Sequence, residues 1–142
     1  MTVRFFADSN VFIYAYDKDA GVKRTRAMAL IDTAGGAAEL AVSTQVLKEF
    51  YWVTTRRLNP PLSSKVAEMA VRAFARYPLV VEDPPLILAA IARGRQDQIA
   101  FWDALIVEAA RRAKARILYT EDLQHGRDFD GLMVENPFRE LP

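Results

Sequence analysis

The sequence contains no cysteine and a single histidine, His125. The first absence excludes disulfides, thiolate metal sites and cysteine nucleophiles, and leaves the redox compartment open. The second excludes a two-histidine acid–base mechanism and a histidine-rich zinc site within one chain. Any metal held by this chain is therefore held by oxygen. Neither sign of charge is in excess: 19 Lys plus Arg face 18 Asp plus Glu, a formal net charge of +1. A nucleic-acid argument thus has to come from where the charges sit. Long apolar runs are missing too. The longest, Leu86 to Ala92, falls far short of the ~20 residues that span a bilayer. The start, Met1 to Asp8, meets a charge at Arg4 and has no apolar signal-peptide core. A cytoplasmic protein that leaves membranes alone is expected.

What is present suits a folded core. Of 142 residues, 51% are hydrophobic and 26% charged, with eight Phe, five Tyr and two Trp. The breakers Gly35-Gly36, Pro60-Pro61 and Pro84-Pro85 are short, so residues 1–142 read as one domain. Four brief apolar segments read as buried parallel strands: Val3–Ala7, Leu40–Val42, Leu79–Val81 and Arg116–Tyr119. Leu132–Val134 reads as a fifth, at an edge.

Helical periodicity fills the gaps. Val22–Ala34 carries a stripe of Ala27, Leu30, Ile31 and Ala34; Gln45–Arg57 one of Val46, Phe50 and Val53; Ser63–Arg76 one of Val66, Ala70 and Phe74. A helix is expected from Pro84, where prolines suit a first turn. Another over Phe101–Lys114 is expected to turn Trp102, Leu105, Ile106 and Ala109 inward. The class is α/β, with a central, mainly parallel sheet of four to five strands flanked by helices.

Sheets of this kind bind ligands at the carboxyl ends of their strands. Asp8 ends the first strand and Asp122 follows the fourth, while Glu49 and Asp103 interrupt apolar helical stretches. Each has a plain structural reading. Asp8 can cap the next helix, Asp103 can complement a helix dipole, Glu49 can be solvated, and Asp122 can sit in a turn. Together, the four are expected to project toward one rim. Two unit charges ~4 Å apart repel by roughly 4 kcal/mol at an effective dielectric near 20, so such a rim takes up a proton or a divalent cation. Mg²⁺ or Mn²⁺ suits all-oxygen ligands. Metal-assisted phosphodiester hydrolysis is the leading reaction class.

Four blocks carry a family likeness: Phe6-Ala-Asp-Ser-Asn-Val11, Thr44-Gln-Val-Leu-Lys-Glu-Phe50, Phe101-Trp-Asp-Ala-Leu-Ile-Val107 and Leu118-Tyr-Thr-Glu-Asp-Leu-Gln-His-Gly126. In this order, over essentially the whole chain, they resemble the PIN-domain nucleases, and within them the VapC toxins of toxin–antitoxin modules. The resemblance implies a PIN-like fold and Mg²⁺- or Mn²⁺-dependent endonucleolytic cleavage of RNA. It places Asp8, Glu49, Asp103 and Asp122 at the family's acidic positions. Asp8 and Asp103 are implied as metal ligands, and Glu49 and Asp122 as acting through water or a second ion. It further implies a homodimer and a cognate VapB-like antitoxin laid across the active groove.

Other residues invite weaker readings. Asn10 and Thr120 can hydrogen-bond a carboxylate or a metal-bound water, or serve capping and turn formation. His125 reads as a turn residue in preference to a proton shuttle, Asp128 and Asp130 read as solvated, and Glu108 is expected to face away from Asp103. Arg93-Gly94-Arg95, read as a loop, and Arg56-Arg57 are candidate phosphate contacts. Tyr51 and Trp52 are read as core in preference to base-stacking surfaces.

Two rival functions remain at this point. A haloacid-dehalogenase-type phosphatase wants a second Asp at the position that Asn10 holds. A non-catalytic PIN-like module that binds RNA or protein would gain by losing repelling acids.

Overall fold

The computed structural model describes residues 3–33 and 38–141. Among the described residues, six strands form one sheet: β1 (Val3–Ala7), β2 (Ala38–Ser43), β3 (Leu79–Val80), β4 (Ile117–Tyr119), β5 (Asp128–Phe129) and β6 (Leu132–Glu135). Their order is β3-β2-β1-β4-β6-β5. All pairings are parallel except β5 with β6. The expected strands are therefore joined by a sixth short one, β5, which takes the edge. Leu132–Val134, expected at the edge, belongs to β6, between β4 and β5.

Among the same residues, six helices connect and cover the strands: α1 (Ser9–Tyr16), α2 (Val22–Asp32), α3 (Thr44–Thr54), α4 (Ser64–Phe74), α5 (Pro84–Asp97) and α6 (Phe101–Arg112). Their starts are written in the sequence. Asp8, Ser43, Ser63 and Asp83 each accept a backbone N–H at the first turn of α1, α3, α4 and α5, the usual work of short polar caps. Pro84 and Pro85 occupy the first two positions of α5, where their missing N–H groups cost nothing. Ala34, expected on the α2 stripe, lies with Gly35 and Gly36 outside the described residues.

The core is built where helices meet the sheet. Phe6, Leu40, Val42 and Leu118 of the central strands are fully buried, with Phe12, Val46, Phe50, Leu86, Ile106 and Val107 from the helices. Phe74 packs edge-on against Phe50, their ring centroids 5.2 Å apart. Two stripe positions differ from expectation. Val66 and Trp102 are exposed, because each sits in the first turn of its helix, beyond the layer of side chains that meets the sheet. Among the described residues no helix is long and apolar enough to cross a membrane.

The topology fixes where chemistry can gather. From β1 the sheet grows through β2 on one side and β4 on the other. The chain thus reverses its direction of growth between β1 and β4, the crevice where open α/β sheets hold ligands.

Candidate active site

Asp8 follows β1 directly and is 4% exposed. Its Oδ1 accepts the Ser9 backbone N–H at 2.7 Å, and its Oδ2 accepts the Thr120 hydroxyl at 2.8 Å. So the capping reading of Asp8 and its place in the crevice hold together. The Asp122 backbone N–H donates to Thr120 Oγ1 at 3.1 Å. From α1, Asn10 Nδ2 donates to Asp122 Oδ2 at 3.2 Å and to Thr120 Oγ1 at 3.4 Å. Thr120 is fully buried, so this lattice locks the end of β4 to the start of α1.

The other two acids arrive on helices. Glu49 lies in α3, which leaves the end of β2. Asp103 stands in the first turn of α6, where the helix dipole favours negative charge. Gln45 is buried, and its Nε2 donates to the Trp102 carbonyl at 3.2 Å. One side chain thereby ties the Glu49 helix to the residue before Asp103.

The electrostatics show that the four acids share one field. Burial pushes the Asp8 carboxyl up to about 7; the Thr120 and Ser9 hydrogen bonds pull it down, and the charges of Asp122 and Glu49 raise it further. Glu49 is raised chiefly by desolvation, with Asp122 and Asp103 adding to the effect. Asp103 is raised by desolvation and then by Asp122. Asp122 is raised by desolvation, against the Asn10 hydrogen bond. Among the described residues, no lysine, arginine or histidine pairs with any of the four.

This donor set fits a hydrated divalent cation. Four carboxylates repel one another with no protein cation to offset them. Two buried carbonyl oxygens nearby, Asn10 Oδ1 and Gln45 Oε1, accept no hydrogen bond from the described residues; water molecules around an ion would supply donors for them. No group of three or more acidic or histidine side chains among the described residues is close enough to cage an ion alone.

Other candidates lie elsewhere. Arg93-Gly94-Arg95 is no loop but part of α5. Arg93 is buried and bonded to Asp97 at 2.9 Å and Asp130 at 3.1 Å, with Glu108 at 3.9 Å, so it does not grip phosphates. Asp130, read as solvated, is exposed but serves this pair, and Asp128 accepts the Gly131 N–H. Glu108 faces Arg93 and Arg111. His125 Nδ1 accepts the Asn136 N–H at 3.1 Å, a turn contact. Tyr51 and Trp52 are exposed, not core.

Gln45, which ties the Glu49 helix to the Asp103 helix, escaped the sequence reading. Gln45 had a usable signal: four residues before Glu49, it shares its helix face.

No curated protein sequence shows significant similarity to this chain. Solved structures do share its fold. VapC20 of Mycobacterium tuberculosis, described as a Sarcin-Ricin loop cleaving toxin, is 17% identical with a TM-score of 0.63, over 83% of this chain and 89% of its own. A toxin–antitoxin complex from Klebsiella pneumoniae gives 15% and 0.66, over 96% and 98%. VapBC2 from Rickettsia felis, bound to a promoter DNA fragment, gives 16% and 0.61, over 94% and 98%. At the level of sequence, the PIN domain family model matches residues 5–128. This span runs from β1 through the last of the four acids, and the chain belongs to the PIN domain family.

Proposed function

We propose that this chain is a metal-dependent endoribonuclease of the VapC type, the toxin of a toxin–antitoxin pair. The observation that carries the reading is Asp8: a carboxylate 4% exposed, hydrogen-bonded by the neutral Ser9 N–H and Thr120 hydroxyl, and pushed up to about 7 by burial and the nearby acids. A charge placed so expensively is retained where an ion or a proton completes the site.

Asp8 and Asp103 would hold Mg²⁺, with Mn²⁺ able to substitute, and Glu49 and Asp122 would bind its waters. Such an ion, when bound, polarises a phosphoryl oxygen and lowers the pKa of a coordinated water. The chain's own part is positioning. Thr120 and Ser9 fix both oxygens of Asp8, Asn10 aims Asp122, and Gln45 sets the Glu49 helix against the Asp103 helix.

RNA is the substrate in this reading. The toxin–antitoxin complex from Klebsiella pneumoniae among the structural neighbours supports a VapB-like antitoxin as partner, and a cytoplasmic homodimer is the working form. An Arg or Lys of the antitoxin, inserted among the carboxylates, would neutralise them in place of the ion.

The test is incubation of purified protein with total RNA in Mg²⁺, Mn²⁺ or EDTA, with the cut ends mapped. Discrete cuts in either metal and none in EDTA are expected. RNA left intact in both metals would favour the non-catalytic PIN-like module.

A further inference from the structure

Asp122 reaches the crevice on a segment with little backbone support. The Thr120 N–H donates to the Glu135 carbonyl at 3.2 Å and the Gly126 N–H to the Val134 carbonyl at 2.9 Å. Between these two, no backbone N–H donates to a backbone carbonyl among the described residues. Stretches without such bonds open locally at low cost. Side chains must therefore fix Asp122, and several converge on its neighbour Glu121.

From α1, the Tyr14 hydroxyl donates to Glu121 Oε1. From α2, Lys23 Nζ donates to Glu121 Oε2 at 3.2 Å and to the Tyr14 hydroxyl at 3.3 Å, which closes a triangle. The Tyr14 ring is itself held edge-on against buried Phe138, the centroids 4.9 Å apart. Tyr14 stands four residues after Asn10, so the two share one face of α1. That face meets the three residues after β4 in turn: Asn10 bonds Thr120 and Asp122, and Tyr14 bonds Glu121 between them. Desolvation raises the Asp122 carboxyl and the Glu121 charge adds to the effect; Lys23 offsets that charge. The Lys23 and Glu121 side chains are 41% and 24% exposed, and a pair so placed adds little to overall stability. Its consequence is local.

We infer that Tyr14 and Lys23 are positioning residues: acting through Glu121, they hold the segment after β4 so that Asp122 stays bonded to Asn10 in the crevice. The effect on metal rests on the ribonuclease reading of the site, whereas the Asn10–Asp122 bond exists without an ion.

The experiment follows the Asn10 side-chain amide by heteronuclear NMR in EDTA, and Mn²⁺ affinity by calorimetry, with no RNA present. Tyr14→Phe keeps the ring and removes the hydroxyl; Lys23→Met keeps the stem and removes the charge. Each should shift the Asn10 amide resonances and weaken Mn²⁺ binding on the order of tenfold. Lys23→Arg should restore most of both. In a Glu121→Ala background, neither Tyr14→Phe nor Lys23→Met should add a further change. Lower melting temperatures with the Asn10 amide unmoved would overturn the inference and leave a purely structural cluster. Effects that persist undiminished without Glu121 would overturn it as well. The ribonuclease reading fails separately, if wild type binds no Mn²⁺ or cuts no RNA; the amide shifts then still decide the inference.

Discussion

The Thr120 hydroxyl donates to Asp8 Oδ2 at 2.8 Å, across the boundary between β4 and β1 where the sheet changes its direction of growth. It is a strong lever on the site, because both groups are buried and Asp8 has few other partners. Thr120→Val keeps the shape and removes the donor. Leaving the Asp8 oxygen unsatisfied costs about 1–3 kcal/mol and lifts the Asp8 carboxyl further above about 7. Thermal melts should show the loss, and metal affinity at neutral pH should fall.

The ionisation of Asp8 makes stability depend on pH in a defined direction. Its carboxyl is raised from 3.8 to about 7 on folding, so the folded chain keeps a proton that the unfolded chain has released. The favourable contribution is full below about 3.8 and is lost as pH rises through about 7. The difference corresponds to about 4 kcal/mol. In EDTA, the melting temperature should decline between pH 4 and pH 7, and Asp8→Asn should flatten that decline. An equal slope in the two proteins would place the titrating group elsewhere.

Metal should reverse the penalty. A ligand that binds only the native state adds about 2.7 kcal/mol at a hundredfold excess over its dissociation constant, or roughly 8 °C for a chain of this size. Mn²⁺ should raise the melting temperature of wild type by that order and of Asp8→Ala much less. Because binding requires the deprotonated carboxylate, the shift should grow with pH and be accompanied by proton release. Identical shifts in wild type and Asp8→Ala would mean that the ion binds away from this site.

How far the sequence reveals this arrangement differs from element to element. The parallel core was legible because buried strands are short apolar runs, and Asp8 and Asp122 were legible as strand-end acids. Arg93-Gly94-Arg95 misled because glycine usually breaks a helix. Here Gly94 sits inside α5, where an added Cβ would meet the Ile99 carbonyl oxygen at 3.2 Å; the glycine serves close backbone approach. Trp102 fitted the α6 stripe by period alone, and period cannot tell a first turn that overhangs the sheet edge. The strand β5 is two residues long, too short for any alternation to show.

The buried Arg93 gives a prediction about stability alone. Its partners Asp97 and Glu108 are largely buried, so Arg93→Ala strands their charges and should cost about 3 kcal/mol. Denaturant melts would measure it. Metal affinity of the folded variant should match wild type, since Arg93 pairs with none of the four acids.

In the proposed reaction, charge at the β1–β4 crevice, supplied in part by Asp103, is what cuts RNA. The direct measurement is the rate of RNA cleavage at saturating Mn²⁺ by wild type and by Asp103→Asn, with circular dichroism confirming that both are folded. The substitution preserves size and removes one of the repelling charges, so in EDTA the variant should melt no lower than wild type. Its cleavage should fall by at least a hundredfold, or about 2.7 kcal/mol in the barrier. Wild-type turnover by the folded Asp103→Asn protein would contradict the account.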